Sequence, residues 1–271
     1  MAGAEAQLAS YHLVFFGGAA NYQGDLQDKK YTFQNAHPAF GVGVTYEITD
    51  QLSARANFSF ATVSADDKQS NNINNRNRNL SFSSPITEGQ LGLEYDFLSL
   101  YEHHLTPYIF TGLAVYHFNP STIDSAGNRV DLQPLGTEGE GFYAGEKKYN
   151  LTQLAIPVGA GFKYAISDNV RIGIEVGFRK LFTDYLDDVS ENYVDKNLLL
   201  QHNGPEAVQL AFRGNELNTG LVYPGNGTIR GNPKSKDWYY FSVLTLSFRL
   251  STVDDYTVGN KSNRGCPARV L

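Results

Sequence analysis

The chain has 271 residues, 13% aromatics, 26 glycines, a single cysteine (Cys266) and a formal net charge of −6. That size suggests one or two domains, and barrels often reach it as one. The charge, without a long basic block, excludes nucleic acid as an expected partner, and one cysteine excludes an internal disulfide or a cysteine-based zinc cluster. No apolar run approaches ~18 residues, which excludes helical membrane proteins but not β-barrels, whose strands are short and alternating.

In chain order, residues 1–10 read as a residual signal or N-terminal segment. Ala4-Glu5-Ala6 resembles the small-residue end of a secretory signal, with cleavage before Gln7 and the charged and apolar regions missing. Residues 12–20 form a first strand, apolar and glycine-rich, with no assignable facing. Residues 39–49 alternate Phe40, Val42, Val44, Tyr46 and Ile48 against Gly41, Gly43, Thr45 and Glu47. Residues 52–63 return with Leu52, Ala54, Ala56, Phe58 and Phe60 against Ser53, Arg55, Asn57 and Ser59. The fourth strand, 82–97, sets Leu91, Leu93, Tyr95 and Phe97 against Glu88, Gln90, Gly92, Glu94 and Asp96. The fifth, 106–118, is ambiguous in facing. Strands six and seven meet at a tight turn, Ser167-Asp168-Asn169. The sixth sets Leu154 to Ile166 against Pro157, Gly159, Gly161 and Lys163. The seventh sets Val170, Ile172, Ile174, Val176 and Phe178 against Arg171, Gly173, Glu175, Gly177 and Arg179. The last strand, 237–250, sets Tyr240, Leu244, Leu246, Phe248 and Leu250 against Tyr239, Thr245, Ser247 and Arg249.

Eight strands result, joined by connections that alternate long and short: 21–38, 49–51, 64–81, 98–105, 119–150, 167–169 and 182–236. All long connections then fall at one end. This is the signature of an all-β, eight-stranded antiparallel up-and-down transmembrane β-barrel of the OmpA-like kind, spanning 11–250. Long loops would be extracellular, and both termini and a tail at 251–271 periplasmic. Outer-membrane lipids would surround it. Tyr46, Tyr95, Phe97, Tyr164 and Phe248 would form one interfacial girdle, and Phe60, Tyr116, Phe118, Phe178, Trp238 and Tyr240 the other. A soluble lipocalin-like barrel with the faces exchanged is the competing architecture. The loop asymmetry and the glycines of the polar face, which in a narrow lumen leave room for long charged side chains, argue against it.

An eight-stranded lumen is barely wide enough for its own side chains. Inward charges would be Glu47, Glu88, Glu94, Asp96 and Glu175 against Arg55, Lys163, Arg171, Arg179 and Arg249, five against five. Buried charges need partners, so these predict a cross-linked plug and no open channel, with Arg171 facing Glu94 or Glu175. No metal or cofactor is expected. The only hydrolase-like set is His117 with Asp184 or Ser121, and an interfacial or loop histidine is the favoured reading. The acidic run Asp184, Asp187, Asp188, Glu191 and Asp195 lacks calcium-loop spacing and reads as solvated.

Four segments resemble a known family. Asn21 to Leu26 ends the first strand, and Arg78 to Phe82 enters the fourth. Leu132-Gln133-Pro134-Leu135-Gly136-Thr137, continuing to Gly141, lies in the third long loop. Phe182-Thr183-Asp184-Tyr185-Leu186-Asp187-Asp188-Val189-Ser190 opens the fourth. Together they are similar to the PorG-like outer-membrane barrels of Bacteroidota, associated with the type IX secretion system. The resemblance implies an eight-stranded, non-enzymatic barrel docked on a periplasmic secretion ring that contains a lipoprotein and its partner. The alternative is an OmpA- or OmpX-like barrel that stabilises the envelope or binds external ligands through its loops. In the tail, Lys261, Arg264 and Arg269 carry positive charge from residue 259 onward with no acidic side chain. Together with the short turn 98–105, they would dock an acidic periplasmic partner, with Cys266 available for an intermolecular disulfide.

Overall fold

The period-two segments form the long strands of a closed sheet. The computed structural model describes residues 10–27, 29–143, 147–217 and 219–250. Its strands are β1 (Tyr11–Gln23), β2 (His37–Glu47), β3 (Leu52–Asp66), β4 (Ser81–Asp96), β5 (Leu105–Phe118), β6 (Ser121–Ile123), β7 (Arg129–Asp131), β8 (Thr152–Ser167), β9 (Val170–Leu181) and β10 (Trp238–Leu250). Among the described residues, eight long strands make an antiparallel barrel, with the short hairpin β6–β7 appended to β4. Closure comes from β1 on β10, running from Tyr11 opposite Leu250 to Gln23 opposite Trp238. Closing the sheet on itself removes its free edges. The two ends of the barrel sequence, Tyr11 and Leu250, are register partners at the short-turn end.

The facing follows the alternation. Outward side chains include Phe15, Phe58, Leu91, Leu113, Ile174 (55% exposed) and Leu244 (66%). Charged partners point inward, with Glu88, Glu94 and Arg179 at 1%, 4% and 3%. The two ambiguous strands resolve the same way. On β1, His12, Ala20 and Tyr22 are buried while Tyr11 and Phe15 are exposed. On β5, Tyr108, Phe110, Tyr116 and Phe118 are buried while Ile109, Leu113 and Val115 are exposed. Tyr116 and Phe118 are therefore lumen residues, not girdle residues. Tyr240 does point outward, but it is covered by Tyr31, whose ring stacks on it at 5.0 Å. No helix among the described residues is long and apolar enough to cross a membrane.

The main apolar core lies at the long-loop mouth, not at mid-barrel. Tyr116, Phe118, Ile86, Phe82 and Tyr239 from the strands pack with Leu26, Leu132, Leu186, Val189 and Leu210 from the loops. Two helices stand in those loops. The short α1 (Ile73–Arg78) is capped by the Asn72 side chain. Helix α2 (Lys196–Ala211) is capped by Asp195, whose carboxylate accepts from the Asn197 and Leu198 amides, and it breaks at Gly204-Pro205. Neither has a wide apolar stripe, so period alone does not reveal them. A smaller cluster of Val194, Leu199, Ala207 and Ala211 holds α2 onto the loops.

Candidate functional site: the filled lumen and the loop cap

From the short-turn end upward, the lumen is closed in tiers. In the lowest, Glu47 accepts from Arg171 Nη1 at 2.7 Å and from the Tyr101 hydroxyl at 2.6 Å, and lies 3.2 Å from His12 Nε2. Above it, Arg55 bridges Glu94 at 3.2 Å and Glu175 at 2.9 Å. Lys163 bonds Glu94 and lies 3.0 Å from Asp96. The Tyr108 hydroxyl donates to Glu175 at 2.9 Å. Nearest the loops, Arg179 pairs with Glu88 at 3.1 Å, and Tyr239 donates to the same carboxylate.

Aromatic rings and glycines hold these pairs. A Cβ at Gly159 would come within 2.5 Å of the Phe110 ring, at Gly161 within 2.7 Å of Tyr108, and at Gly41 it would overlap the Phe16 ring. The glycines thus clear the wall for aromatic rings, and the cations lie on the rings. Arg55 sits 4.1 Å from the Phe110 centroid, Lys163 4.4 Å from Tyr108 and Arg179 4.0 Å from Phe241. The cleft left between His12, Arg55, Glu94 and Arg171 holds about 40 Å³.

Nine of the ten inward charges enter these ion pairs. Arg249 has no ion pair among the described residues. Arg171 takes Glu47, not Glu94 or Glu175, because those two are already bound by Arg55 and Lys163. The reading in charges alone missed His12, Tyr101, Tyr108 and Tyr239. The signal for Tyr108 and Phe110 was the run of glycines on β8 that faces them.

Above the lumen, the loops close into one cap, and the two long motifs meet inside it. Asp188 accepts from Thr137 at 2.7 Å and from the Tyr149 hydroxyl at 2.7 Å. Glu138 accepts from the Ser190 and Glu191 amides at 3.0 and 2.8 Å and pairs with Arg230 at 2.7 Å. Asp187 accepts from Tyr22 at the top of β1. Asn203 on α2 donates to the carbonyls of Leu135 and Gly136, whose φ of +55° gives the turn its left-handed corner. The Tyr185 and Tyr149 rings stack at 4.7 Å. Gln133 donates to Tyr149 O, Lys148 to Pro134 O, and Leu132 lies in the core. Arg78 binds Asp67 at 2.8 Å and reaches the Arg230 carbonyl, joining the second loop to the fourth.

The first three acids of the run are therefore not solvated, while Glu191 and Asp195 are half-buried. Asp184, Asp187 and Asp188 are at most 1% exposed, and with Asp67, Glu138, Glu140 and Asp237 they outnumber the buried cap cations Arg78 and Arg230. Burial first, and then the neighbouring Asp188 and Glu138, push Glu140 up to about 8. Burial raises Asp184 to about 7 and Asp188 to about 6. Asp187 and Asp237 lie well above the ordinary carboxylate range, chiefly through burial. Glu140 Oε1 and Asp184 Oδ1 are buried without a hydrogen-bond partner among the described residues. Near neutrality the cap therefore holds Glu140, Asp187 and Asp237 as carboxyls.

His117, Asp184 and Ser121 are not brought together. His117 is exposed on the outer wall against Thr152, Asp184 is taken by Ser190, and Ser121 bonds the Ser83 carbonyl and Arg129. Among the described residues, no group of three or more His, Cys, Asp or Glu side chains is arranged for a metal ion. Lys261, Arg264, Cys266 and Arg269 lie outside the described residues, as do residue 28 and residues 1–9.

No curated protein matches the chain. Among solved structures it is similar to Neisserial surface protein A (10% identity, 89% of this chain and 99% of that one, TM-score 0.45). It is also similar to a major outer membrane protein of Thermus thermophilus (14%, 90% and 100%, TM-score 0.42). A third is the N-terminal β-barrel domain of Pseudomonas aeruginosa OprF (12%, 90% and 98%, TM-score 0.39). A family model matches residues 1–137, half of the chain, from the first strands into the Leu132–Thr137 motif. The chain belongs to the family described as Domain of unknown function (DUF6089).

Proposed function

We propose that the protein is a non-enzymatic outer-membrane barrel with a closed lumen, which acts through the surfaces at its two ends. One observation carries this reading: large apolar side chains ring the outside while paired charges fill the inside. A soluble barrel would need the reverse. The strands of β3 and β4, at 15 and 16 residues, exceed the ~9–11 needed to cross a bilayer. Orientation follows from the loop asymmetry, with the cap extracellular and both ends of the barrel sequence periplasmic. The cap is a structured surface suited to envelope interactions or an external ligand. In planar bilayers the purified protein is expected to give no stable conductance, and reproducible ion-selective steps would overturn the closed lumen.

A second reading makes the same barrel a component of a type IX secretion assembly, docking periplasmic ring proteins that include a lipoprotein. It rests on the similarity of the loop motifs and on the lower mouth, where the 98–104 turn presents exposed Glu102 and His103 beside Tyr101. The motif residues 132–137 and 184–188 are used within the cap, so they favour a shared fold more than a docking face. Truncation after Ser251 separates the readings. Docking through the tail and Cys266 requires ring proteins to stop co-purifying while insertion survives. Unchanged association would remove the tail from the proposal.

A further inference from the structure

One face of the barrel's upper rim is rich in lysine. Lys180 tops β9 and Lys234 and Lys236 lead into β10, while Lys29 and Lys30 belong to the first long loop beyond β1; all five are exposed. None takes part in an ion pair among the described residues; Lys29 is bonded to Gln34 and Lys236 to a carbonyl. The outward upper ends of β3, β4 and β5 themselves carry Thr62, Pro85, Thr87 and His117; the exposed cations above them include Lys68 in the β3–β4 loop and Arg129, which lies 3.9 Å from Asp131 on the hairpin joined to β4. The first loop also folds down the outside of this same face. Tyr31 reaches Ser242 at 2.9 Å and stacks on Tyr240, the Tyr240 hydroxyl bonds both the amide and the carbonyl of Thr32, and Phe33 is left 64% exposed.

Lower on the same wall lies a hollow, which extends past β8 to Ile109, Pro107 and Phe97 toward the short-turn end. Gly17, Ser242, Val176 and Ala160, small or short outward side chains on β1, β10, β9 and β8, line a groove of about 690 Å³ bounded by Ile174 and Leu244. Ser242, Val176 and Ala160 are register partners, and a Cβ on Gly17 would meet nothing closer than 3.9 Å. Lys180 stands four residues above Val176 on the same strand, roughly 13 Å at strand rise. In a bilayer such a hollow loses contact energy unless a flexible chain fills it.

We propose that the β9–β10–β1 face is a seat for a lipid with an anionic phosphate headgroup. The headgroup engages the lysines, and an acyl chain runs down the groove past Ser242 to Gly17. Charge complementarity selects this occupant, since a neutral lipid would use the groove but not the rim. The assignment rests on the membrane reading above. Trp238, the one tryptophan of the chain, pairs with Lys180 at this rim and is a built-in probe.

The test is quenching of Trp238 in vesicles by brominated phosphatidylglycerol against brominated phosphatidylcholine at equal mole fraction. The anionic lipid is expected to bind more tightly, by roughly fivefold for each lysine engaged, and added salt should erode the difference. The Lys30→Glu/Lys180→Glu double variant should abolish the preference, and Lys196→Glu on α2 should leave it intact. Gly17→Leu, which grows into open space, should fold and yet retain fewer anionic lipids in native mass spectrometry. Equal quenching by both lipids in the parent overturns the seat, and unchanged retention in Gly17→Leu overturns its groove. Loss of quenching at rising protein density would give the face to a second copy instead. Absence of quenching by either lipid would sink the membrane reading itself.

Discussion

Gly159, Gly161 and Gly177 are inseparable from Phe110 and Tyr108, because each glycine lies where a ring needs the wall. Gly159→Val should therefore overpack the lumen and cost ~1–3 kcal/mol. A midpoint equal to the parent in urea unfolding would mean that the ring can move aside. The charges make a graded prediction. Arg55 serves two carboxylates and covers a ring, whereas Arg171 serves Glu47, which also has Tyr101 and His12. Truncating either to alanine strands a buried acid, a loss of ~3–5 kcal/mol for a fully buried pair. Arg55→Ala should be the worse of the two, and the reverse order would refute this tiering.

At the scale of elements, β9 and the cap respond to opposite tests. Ile174 lies in the middle of β9 on the apolar face, so Ile174→Arg should cost ~2–4 kcal/mol when folding is measured in bilayers. Equal folding of the variant would show that this face does not meet lipid. The cap should depend on pH. Glu140, Asp184 and Asp188 hold protons in the fold to about 8, 7 and 6, above the ordinary carboxylate range of the unfolded chain. The folded cap binds more protons than the unfolded one in between, so its stability falls as pH rises from about 4 to about 8, on the order of a few kcal/mol. Hydrogen exchange in 138–141 and 184–190, corrected for intrinsic rates, should show greater protection near pH 5 than near pH 8. Glu140→Gln should flatten that dependence, and a flat parent profile would contradict it.

For the whole molecule, the upper core is shared between strands and loops, so barrel and cap should not melt independently. Replacing 182–236 by a short turn uncovers Tyr116, Phe118 and Tyr239 and should lower the midpoint of the barrel itself. The shortened barrel should still not conduct, because the Arg55–Glu94–Glu175 tier lies below the cut. A conducting shortened barrel would assign closure to the cap, and an unchanged midpoint would make the cap an independent unit.

Alternation by itself determined the long strands and set Glu88, Glu94, Glu175, Arg55 and Arg179 on the face opposite the apolar side chains, because a pleated strand converts residue parity directly into side; the loop asymmetry and the glycines of the polar face, not parity, pointed that face inward. Where parity was blurred by apolar side chains on both faces, as on β5 with Ile109, Leu113 and Val115 opposite Tyr108, Phe110, Tyr116 and Phe118, only closure of the sheet decided which set faced in. Parity also gives no height along the barrel axis. The stagger between strands brought Arg171 to Glu47 across 124 positions of sequence, a pairing no local pattern encodes. The cap lay furthest from view. Its acids look solvated in a polar stretch of chain, yet Asp184, Asp187 and Asp188 are buried because tyrosines, amides and Arg230 from distant segments converge on them in the closed barrel.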